Sequence, residues 1–345
     1  MKNLKVVQWT TGKVGKMALR AIVDDPRLEL VGVYAHSADK AGLDAGTICG
    51  RPDCGVTATQ DVDVLVALGA DTVIYAPFEA DIGHLVCLLE SGSDVISTNL
   101  LTNLGGIEGD VKEKLQSACA RGGSSLYITG INPGWLDTLA AVVTPICRGI
   151  ESVSVTECVK VAHYESVETW LAVGMSLSEA SPELAESARG FLTSFRDSVL
   201  RLAEALNFEL DDIDFKVEYA KTGETLDLGW FKMKKGTHVA LRGSWEGKIE
   251  GRTVISNRVI WYMTRDIDQD WDIDDNNYRI DVKGEPDVEL RVRVKTPSHW
   301  SNLEHAICTA LPAVNAAFQV KAAAPGILGL KGGGLPAAPA GAWRH

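Results

Sequence analysis

At 345 residues the chain is longer than one ordinary core sustains, so two domains are expected, each burying its own apolar centre. Asp and Glu outnumber Lys and Arg by 46 to 34, a net charge of −12 that argues against nucleic acid or an anionic membrane surface as partner. No apolar run reaches the length of a membrane span, and MKNLKVV enters a strand-like segment directly without a leader's apolar region, so a cytoplasmic protein is expected.

The first half alternates short apolar runs with amphipathic ones. Leu4–Trp9, Leu28–Tyr34, Thr72–Ala76, Asp94–Thr98 and Ser124–Thr129 read as strands, being short, rich in Val and Ile, and bounded by Gly, Asp or Ser. Val14–Val23, Ile82–Ser91 and Gly109–Arg121 carry apolar residues at helical spacing, the last closed by Gly122 and Gly123. This rhythm predicts an α/β fold: an N-terminal doubly wound parallel sheet of the Rossmann type.

After Gly130 the pattern changes. Pro133 and Gly134 break the chain, Leu136–Ile146 reads as a linking helix, Val153–Ala162 as a strand and Pro182–Leu206 as one long helix. An antiparallel meander is expected next, with strands at Phe215–Ala220, Leu226–Lys232, His238–Glu246, Thr253–Met263, Tyr278–Val282 and Val288–Lys295. Asn302–Val320 reads as a helix, and Ala322–His345, rich in Ala, Gly and Pro, as a loose tail or a segment ordered by packing. The expected division is 1–135 for the first domain, 136–300 for a second α+β domain on a mixed or antiparallel sheet, and 301–345 for a helix and tail returning to the first.

Seven scattered cysteines, odd in number, argue against a disulfide framework, and no metal site is expected at Cys49 and Cys54, the only close pair. The alternating acids Asp266, Asp268, Asp270, Asp272 and Asp274 supply no frame with the glycine and terminal glutamate of a calcium loop.

The turn Thr10-Thr-Gly-Lys-Val-Gly15 follows the first strand. A phosphate-binding P-loop is excluded, because Met17 has no hydroxyl for magnesium and Thr10 stands where the first glycine belongs. A purely structural turn and a dinucleotide turn remain. In the latter Thr10 replaces the first glycine of G-x-G-x-x-G, Gly12 admits the pyrophosphate, Gly15 lets helix approach strand, and Thr11, Lys13 and Val14 complete the cradle. Its place after the first strand of an alternating half favours the dinucleotide.

The second strand ends in His36 and Ser37 where NAD-binding chains carry an acid; with Lys40 these suit a 2′-phosphate, so NADP(H) is preferred and NAD(H) is the alternative. The loops Ala76-Pro77-Phe78 and Thr98-Asn99 follow later strands, and their backbone groups, with Asn132, are expected on the nicotinamide side. Trp135 and Glu165 are candidate substrate contacts. For proton supply to the reacting heteroatom, His163 and Tyr164 at the end of a strand are the leading candidates and Asn99 a weaker one. His84, in an amphipathic helix, is expected on the surface, and Trp170, Trp230, Trp245, Trp261 and Trp300 are expected to bury sheet and interface area, with one or two lining an apolar substrate pocket as the alternative.

WTTGKVG near the N-terminus, GSDVISTN at 92–99, GGSSLYITGINPGW at 122–135, VAHYESVETW at 161–170 and AAAPGI at 322–327 resemble the dihydrodipicolinate reductase-like oxidoreductases. Within them the resemblance is to the branch of 2,4-diaminopentanoate dehydrogenase and the native amine dehydrogenases. It implies nicotinamide-dependent reduction of a C=O or C=N bond of a small ketone or imine, or oxidation of an amine, in a cleft between the domains. It also implies a C-terminal helix returning to the first domain and a homo-oligomer, a dimer favoured, built through the second domain's sheet. Two departures stand out. The lysine and the D-A-P-S-G-T segment of dihydrodipicolinate reductase are absent after Ala162-His-Tyr-Glu-Ser166, so lysine biosynthesis is not expected. The carboxylate that the resemblance places after Asp94–Thr98 is also missing, since no acid follows Ser97 until Glu108. This shifts the expectation toward a carbonyl or preformed-imine reductase, with a diamine or amino-acid dehydrogenase and a non-catalytic dinucleotide sensor as alternatives.

Overall fold

The computed structural model describes residues 3–99, 101, 106–273 and 277–330. The described residues fall into two compact units: those up to Trp135 together with those from Leu303 onward, and Leu136–Asn302.

The first unit opens with β1 (Leu4–Trp9), α1 (Lys13–Asp24), β2 (Leu28–Tyr34), α2 (Ala45–Cys49), β3 (Ala58–Thr59), α3 (Val62–Ala67), β4 (Thr72–Tyr75), α4 (Ile82–Glu90), β5 (Asp94–Ser97), α5 (Gly109–Gly122) and β6 (Ser125–Ile128). Every residue of β4, β5 and β6 is buried, as in a parallel sheet covered on both faces. The two-residue alternation divides the side chains. Val7, Trp9, Val73, Tyr75, Val95 and Leu126 pack with Leu85, Leu88, Leu89 and Leu115 of α4 and α5. Val6, Ile74, Ile96 and Tyr127 pack on the other face with Met17, Ala18 and Ile22 of α1.

The expected spans of β1 and β2 coincide with the observed ones, and those of β4 and β5 run one residue long. The short α2, β3 and α3 went unpredicted, because a few residues carry no measurable periodicity. Their starts were nonetheless marked: Asp44 caps α2 by accepting from the Gly46 N–H at 2.7 Å, and Asp61 caps α3 by accepting from Val64 at 3.1 Å.

The second unit contains α6 (Leu136–Val143), β7 (Arg148–Lys160), α7 (Val167–Ala172), α8 (Pro182–Phe191), α9 (Ser194–Leu206), β8 (Asp212–Lys221), β9 (Leu226–Asp227), β10 (Lys232–Met233), β11 (His238–Ile249), β12 (Arg252–Tyr262), β13 (Tyr278–Glu285) and β14 (Val288–Val292). Its main sheet has the order β14-β13-β7-β12-β11-β8. The expected meander is corrected here: β7 lies between β12 and β13 and runs parallel to β12. Four consecutive buried residues, Val155 to Cys158, suit that central place.

The single helix expected over Pro182–Leu206 is two. Leu192 leaves helical geometry at φ −93°, ψ 11°, and the Thr193 hydroxyl turns back to the Arg189 carbonyl at 2.9 Å. The strand expected at Leu226–Lys232 reduces to the small β9–β10 hairpin, where Asp227 accepts from the Gly229 N–H at 2.9 Å and bends the chain.

The chain then returns to the first unit as α10 (Asn302–His305), α11 (Ile307–Asn315), α12 (Ala317–Ala322) and β15 (Gly326–Leu328). The one helix expected here is interrupted at Ala306 and Ala316, which stay in the right-handed helical region with ψ −12°. Ala310, Ala313 and Val314 of α11 pack in the same cluster as Met17 and Ala18 of α1. β15 pairs parallel with β6 and completes a seven-stranded sheet of order β15-β6-β5-β4-β1-β2-β3. Of the two alternatives for the C-terminal segment, Gly326–Leu328 takes the ordered one, as an edge strand, while residues 331–345 lie outside the described residues. From β1 the chain winds outward through β2 and β3, then crosses to β4 on β1's other side. The carboxyl ends of β1 and β4 thus form the switch point at which such sheets bind ligands. Among the described residues no helix is long and apolar enough to cross a membrane.

Candidate active site

The turn after β1 occupies that switch point. Thr10 has φ +72°, a left-handed conformation that a β-branched residue adopts only when its surroundings impose it. Three hydrogen bonds do so. The Thr10 N–H donates to the Tyr34 carbonyl at 2.9 Å, its hydroxyl donates to the Ala76 carbonyl at 2.7 Å, and its own carbonyl accepts from the buried Gln8 Nε2 at 3.0 Å. Thr10 thus holds a backbone shape that glycine favours, by polar contacts that glycine lacks.

Gly15 is required by space, because a Cβ there would lie 2.4 Å from the Thr10 carbonyl oxygen. At Gly12, the N-cap of α1, a Cβ would meet no atom of the described residues within 4 Å. Among the described residues no side chain caps this end of the twelve-residue helix, and no acid lies in its first turn, to which Lys13 and Val14 belong. An uncapped N-terminus bordered by open space is an anion-binding arrangement.

The loop after β2 reaches the same turn, for the Lys40 ammonium donates to the carbonyl of the buried Thr11 at 3.3 Å. His36 is exposed, and its carbonyl accepts from Gln60 Nε2 at 2.8 Å. Sequence reading passed over Asp39. A hydrogen bond from the Ser37 side chain holds its carboxyl below the ordinary carboxylate range, so an anion stands among the groups expected to meet a 2′-phosphate.

The loops after β4 and β5 are tied together. Asn99 Nδ2 donates to the Pro77 carbonyl at 3.1 Å and to the Phe78 carbonyl at 2.7 Å, while its Oδ1 accepts from the Leu101 N–H at 2.6 Å. Both amide hydrogens are spent, so Asn99 as placed here positions a loop and has none left to offer a substrate. The Ala76 carbonyl is likewise taken by Thr10, and the Thr98 N–H by the Tyr75 carbonyl at 2.9 Å. Leu100 and residues 102–105, part of the stretch where the carboxylate was sought, lie outside the described residues.

Beneath the turn Trp9 stacks on Tyr34 at 4.4 Å and meets the edge of His84 at 5.3 Å. His84 is therefore a half-buried member of an aromatic cluster, which corrects its expected surface place. Burial pushes the Tyr75 phenol up to about 12, and its oxygen accepts from the Asp81 N–H at 2.9 Å. After β6, the five residues Ile131–Trp135 form a tight turn closed by the Trp135 N–H on the Gly130 carbonyl at 2.8 Å; Asn132 and Trp135 are half-buried.

In the second unit His163, Tyr164 and Glu165 are exposed on the loop that leaves β7. Two indoles fix that loop: Trp170 Nε1 donates to the Tyr164 carbonyl at 2.7 Å and Trp230 Nε1 to the Ala162 carbonyl at 3.1 Å. The Tyr164 ring lies edge-on to Trp170 at 5.6 Å. Trp170 and Trp230 thus do more than bury sheet area.

Sequence reading missed two buried polar groups of this unit. Glu157, 8% exposed, accepts from Trp261 Nε1 at 2.8 Å. Asp137, fully buried, accepts from the Ser198 hydroxyl at 2.5 Å, which in turn accepts from Asn257 Nδ2 at 2.6 Å. A glutamate inside the apolar run V-S-V-T-E-C-V was the available signal for the first. Of the acid run, Asp268 accepts from the Lys221 N–H at 2.7 Å and Asp272 pairs with Arg279.

No family model matches the chain. An amine dehydrogenase of Streptomyces virginiae is 28% identical over 313 residues, 84% of each chain. A 4-hydroxy-tetrahydrodipicolinate reductase of Rhodopseudomonas palustris is 26% identical over 178 residues, 51% of this chain and 63% of that one. In fold, the solved amine dehydrogenase of Mycobacterium smegmatis superposes with a TM-score of 0.75 over 98% of both chains at 17% identity. The chain is thus similar over most of its length to an amine dehydrogenase and over about half of it to a 4-hydroxy-tetrahydrodipicolinate reductase.

Proposed function

We propose that this NAD(P)-dependent oxidoreductase reduces the C=O or C=N bond of a small organic substrate, or runs the reverse reaction, with the dinucleotide held at the turn Thr10–Gly15. The observation that carries the reading is the uncapped N-terminus of α1 beside Gly12, where open space meets a helix end without acids. The similarity to the Streptomyces amine dehydrogenase, which runs through 84% of each chain, supports the reaction class.

Thr11, Gly12, Lys13, Val14 and Gly15 would hold the pyrophosphate. His36, Ser37 and Lys40 would hold the adenosine end, and the tie of Lys40 to Thr11 supports a preference for NADP(H). Asp39, hydrogen-bonded to Ser37, is the feature that favours a ribose hydroxyl and hence NAD(H). When bound, the nicotinamide supplies or accepts the hydride. The chain's own work is to orient that ring, exclude water and manage one proton. For the proton the candidates are the His163 imidazole and the Tyr164 hydroxyl, on a loop held by Trp170 and Trp230, with Glu165 beside them and Trp135 and Asn132 as further contacts. A cytoplasmic setting and a homodimer complete the reading.

Amine dehydrogenation, the activity named for the Streptomyces relative, is the second reading. Following NADPH and NADH oxidation across small ketones with and without ammonium tests both. Turnover without ammonium supports a carbonyl reductase, turnover only with ammonium supports an amine dehydrogenase, and no turnover in either direction, amine oxidation included, contradicts the proposal.

A further inference from the structure

Phe78 is 97% exposed, more than any other large apolar side chain among the described residues. An exposed hydrophobe on a slack loop needs no explanation, but this loop is pinned at both ends. Asn99 holds the carbonyls of Pro77 and of Phe78 itself, the Thr10 hydroxyl holds Ala76, and the Tyr75 hydroxyl accepts from the Asp81 N–H as Asp81 caps α4.

These bonds also occupy several of the loop's backbone polar groups. The carbonyls of Ala76, Pro77 and Phe78 are occupied, the Ala76 N–H donates to the Trp9 carbonyl at 3.1 Å, and Pro77 has no N–H. Beside the exposed Glu79 side chain, the loop presents the Phe78 ring to solvent. It leaves the carboxyl end of β4, on the side of β1 opposite β2 and the adenosine-binding loop, where the reacting end of a dinucleotide belongs. Because the backbone that carries this solvated ring is already held, covering it costs little further loop ordering, and its burial adds to binding.

We infer that Phe78 is a specificity residue: its ring packs on the hydrocarbon substituent of the substrate carbonyl or imine carbon and selects substrates that carry one. The inference rests on the proposed cofactor-dependent reduction.

The test uses the full chain, wild type, Phe78→Ala and Phe78→Leu. Fluorescence titration with NADPH comes first, then kinetics with butan-2-one, hexan-2-one and octan-2-one in the presence of ammonium, and thermal shift with octan-2-one at saturating NADPH. Phe78→Ala is expected to lower kcat/KM for octan-2-one roughly tenfold more than for butan-2-one, with Phe78→Leu recovering most of the loss. NADPH affinity should stay within about twofold and melting temperature should not change, since the 97% exposed ring makes no core contact. An equal loss on all three ketones, no loss on any, or a fall in NADPH affinity that accounts for the whole effect would overturn it. So would a wild type that binds NADPH but neither binds nor turns over any of the series, and that outcome leaves the cofactor reading standing. A wild type that binds neither NADPH nor NADH fails the cofactor reading itself.

Discussion

Gly15 faces the carbonyl of Thr10 so closely that a methyl group on Gly15 would sit 2.4 Å from the Thr10 oxygen and 2.9 Å from its carbon. Both are backbone atoms, and the carbonyl is further held by Gln8, so neither can move aside cheaply. Gly15→Ala is expected to destabilise the protein by about 1–3 kcal/mol, the range for overpacking at a tight site, read by urea denaturation. A variant as stable as the wild type would contradict the packing described for the turn.

Thr10 is held at φ +72° partly by its hydroxyl. Thr10→Val keeps the branched shape and loses the bond to Ala76, with an expected cost of about 1 kcal/mol. Thr10→Ser retains the hydroxyl and should unfold close to the wild type. Equal losses in the two variants would show that the hydroxyl is not what stabilises the turn.

Asn99 ties the Pro77–Phe78 carbonyls to the end of β5. Asn99→Ala should release that loop and lower kcat/KM roughly tenfold, chiefly through KM. Asn99→Asp should be worse, because a carboxylate then faces two carbonyl oxygens. A loss confined to kcat with KM unchanged would return Asn99 to the proton chemistry.

His238 lies 2% exposed, its Nδ1 3.0 Å from the Gly174 carbonyl and its ring stacked on Tyr219 at 4.5 Å. Burial pushes its pKa below the ordinary 6.5, with the Gly174 carbonyl opposing. The unfolded chain therefore takes up a proton that the folded one resists, so stability falls as pH drops below 6.5 toward the folded value. His238→Gln should be less stable near about pH 7.5 yet lose less between there and about pH 5.5, as urea denaturation at each pH would record. Parallel acid slopes in the two proteins would count against this.

How much could be read in advance followed from the range of each interaction. The fully buried strands β4 and β5 announce themselves as apolar runs, so the parallel sheet was legible from Thr72–Tyr75 and Asp94–Ser97. Pairing order is not a local property, and nothing in Val153–Lys160 tells that it will lie parallel to β12. The candidate site divides in the same way. Gly12 and Gly15 stand out by spacing, whereas the bond of Thr10 to Ala76, 66 residues away, and the use of Asn99's amide on Pro77 and Phe78 emerge only when strands come together. Glu157 and Asp137 were hidden because a buried carboxylate is legible only through its partners, Trp261 and Ser198.

The central claim is that the N-terminus of α1 at Gly12 receives a nicotinamide dinucleotide. Gly12→Asp tests it most directly. Gly12 has φ −68° and open space around its Cβ position, so aspartate fits and, as a good N-cap, should keep or raise the melting temperature. Its carboxylate would occupy the place of the pyrophosphate and repel it. Titration of wild type and variant with NADPH and with NADH, followed by fluorescence, is predicted to give saturable binding to the wild type, tighter for NADPH, and none to a folded Gly12→Asp protein. Undiminished binding by that variant, or no saturable binding of either dinucleotide by the wild type, would contradict the account.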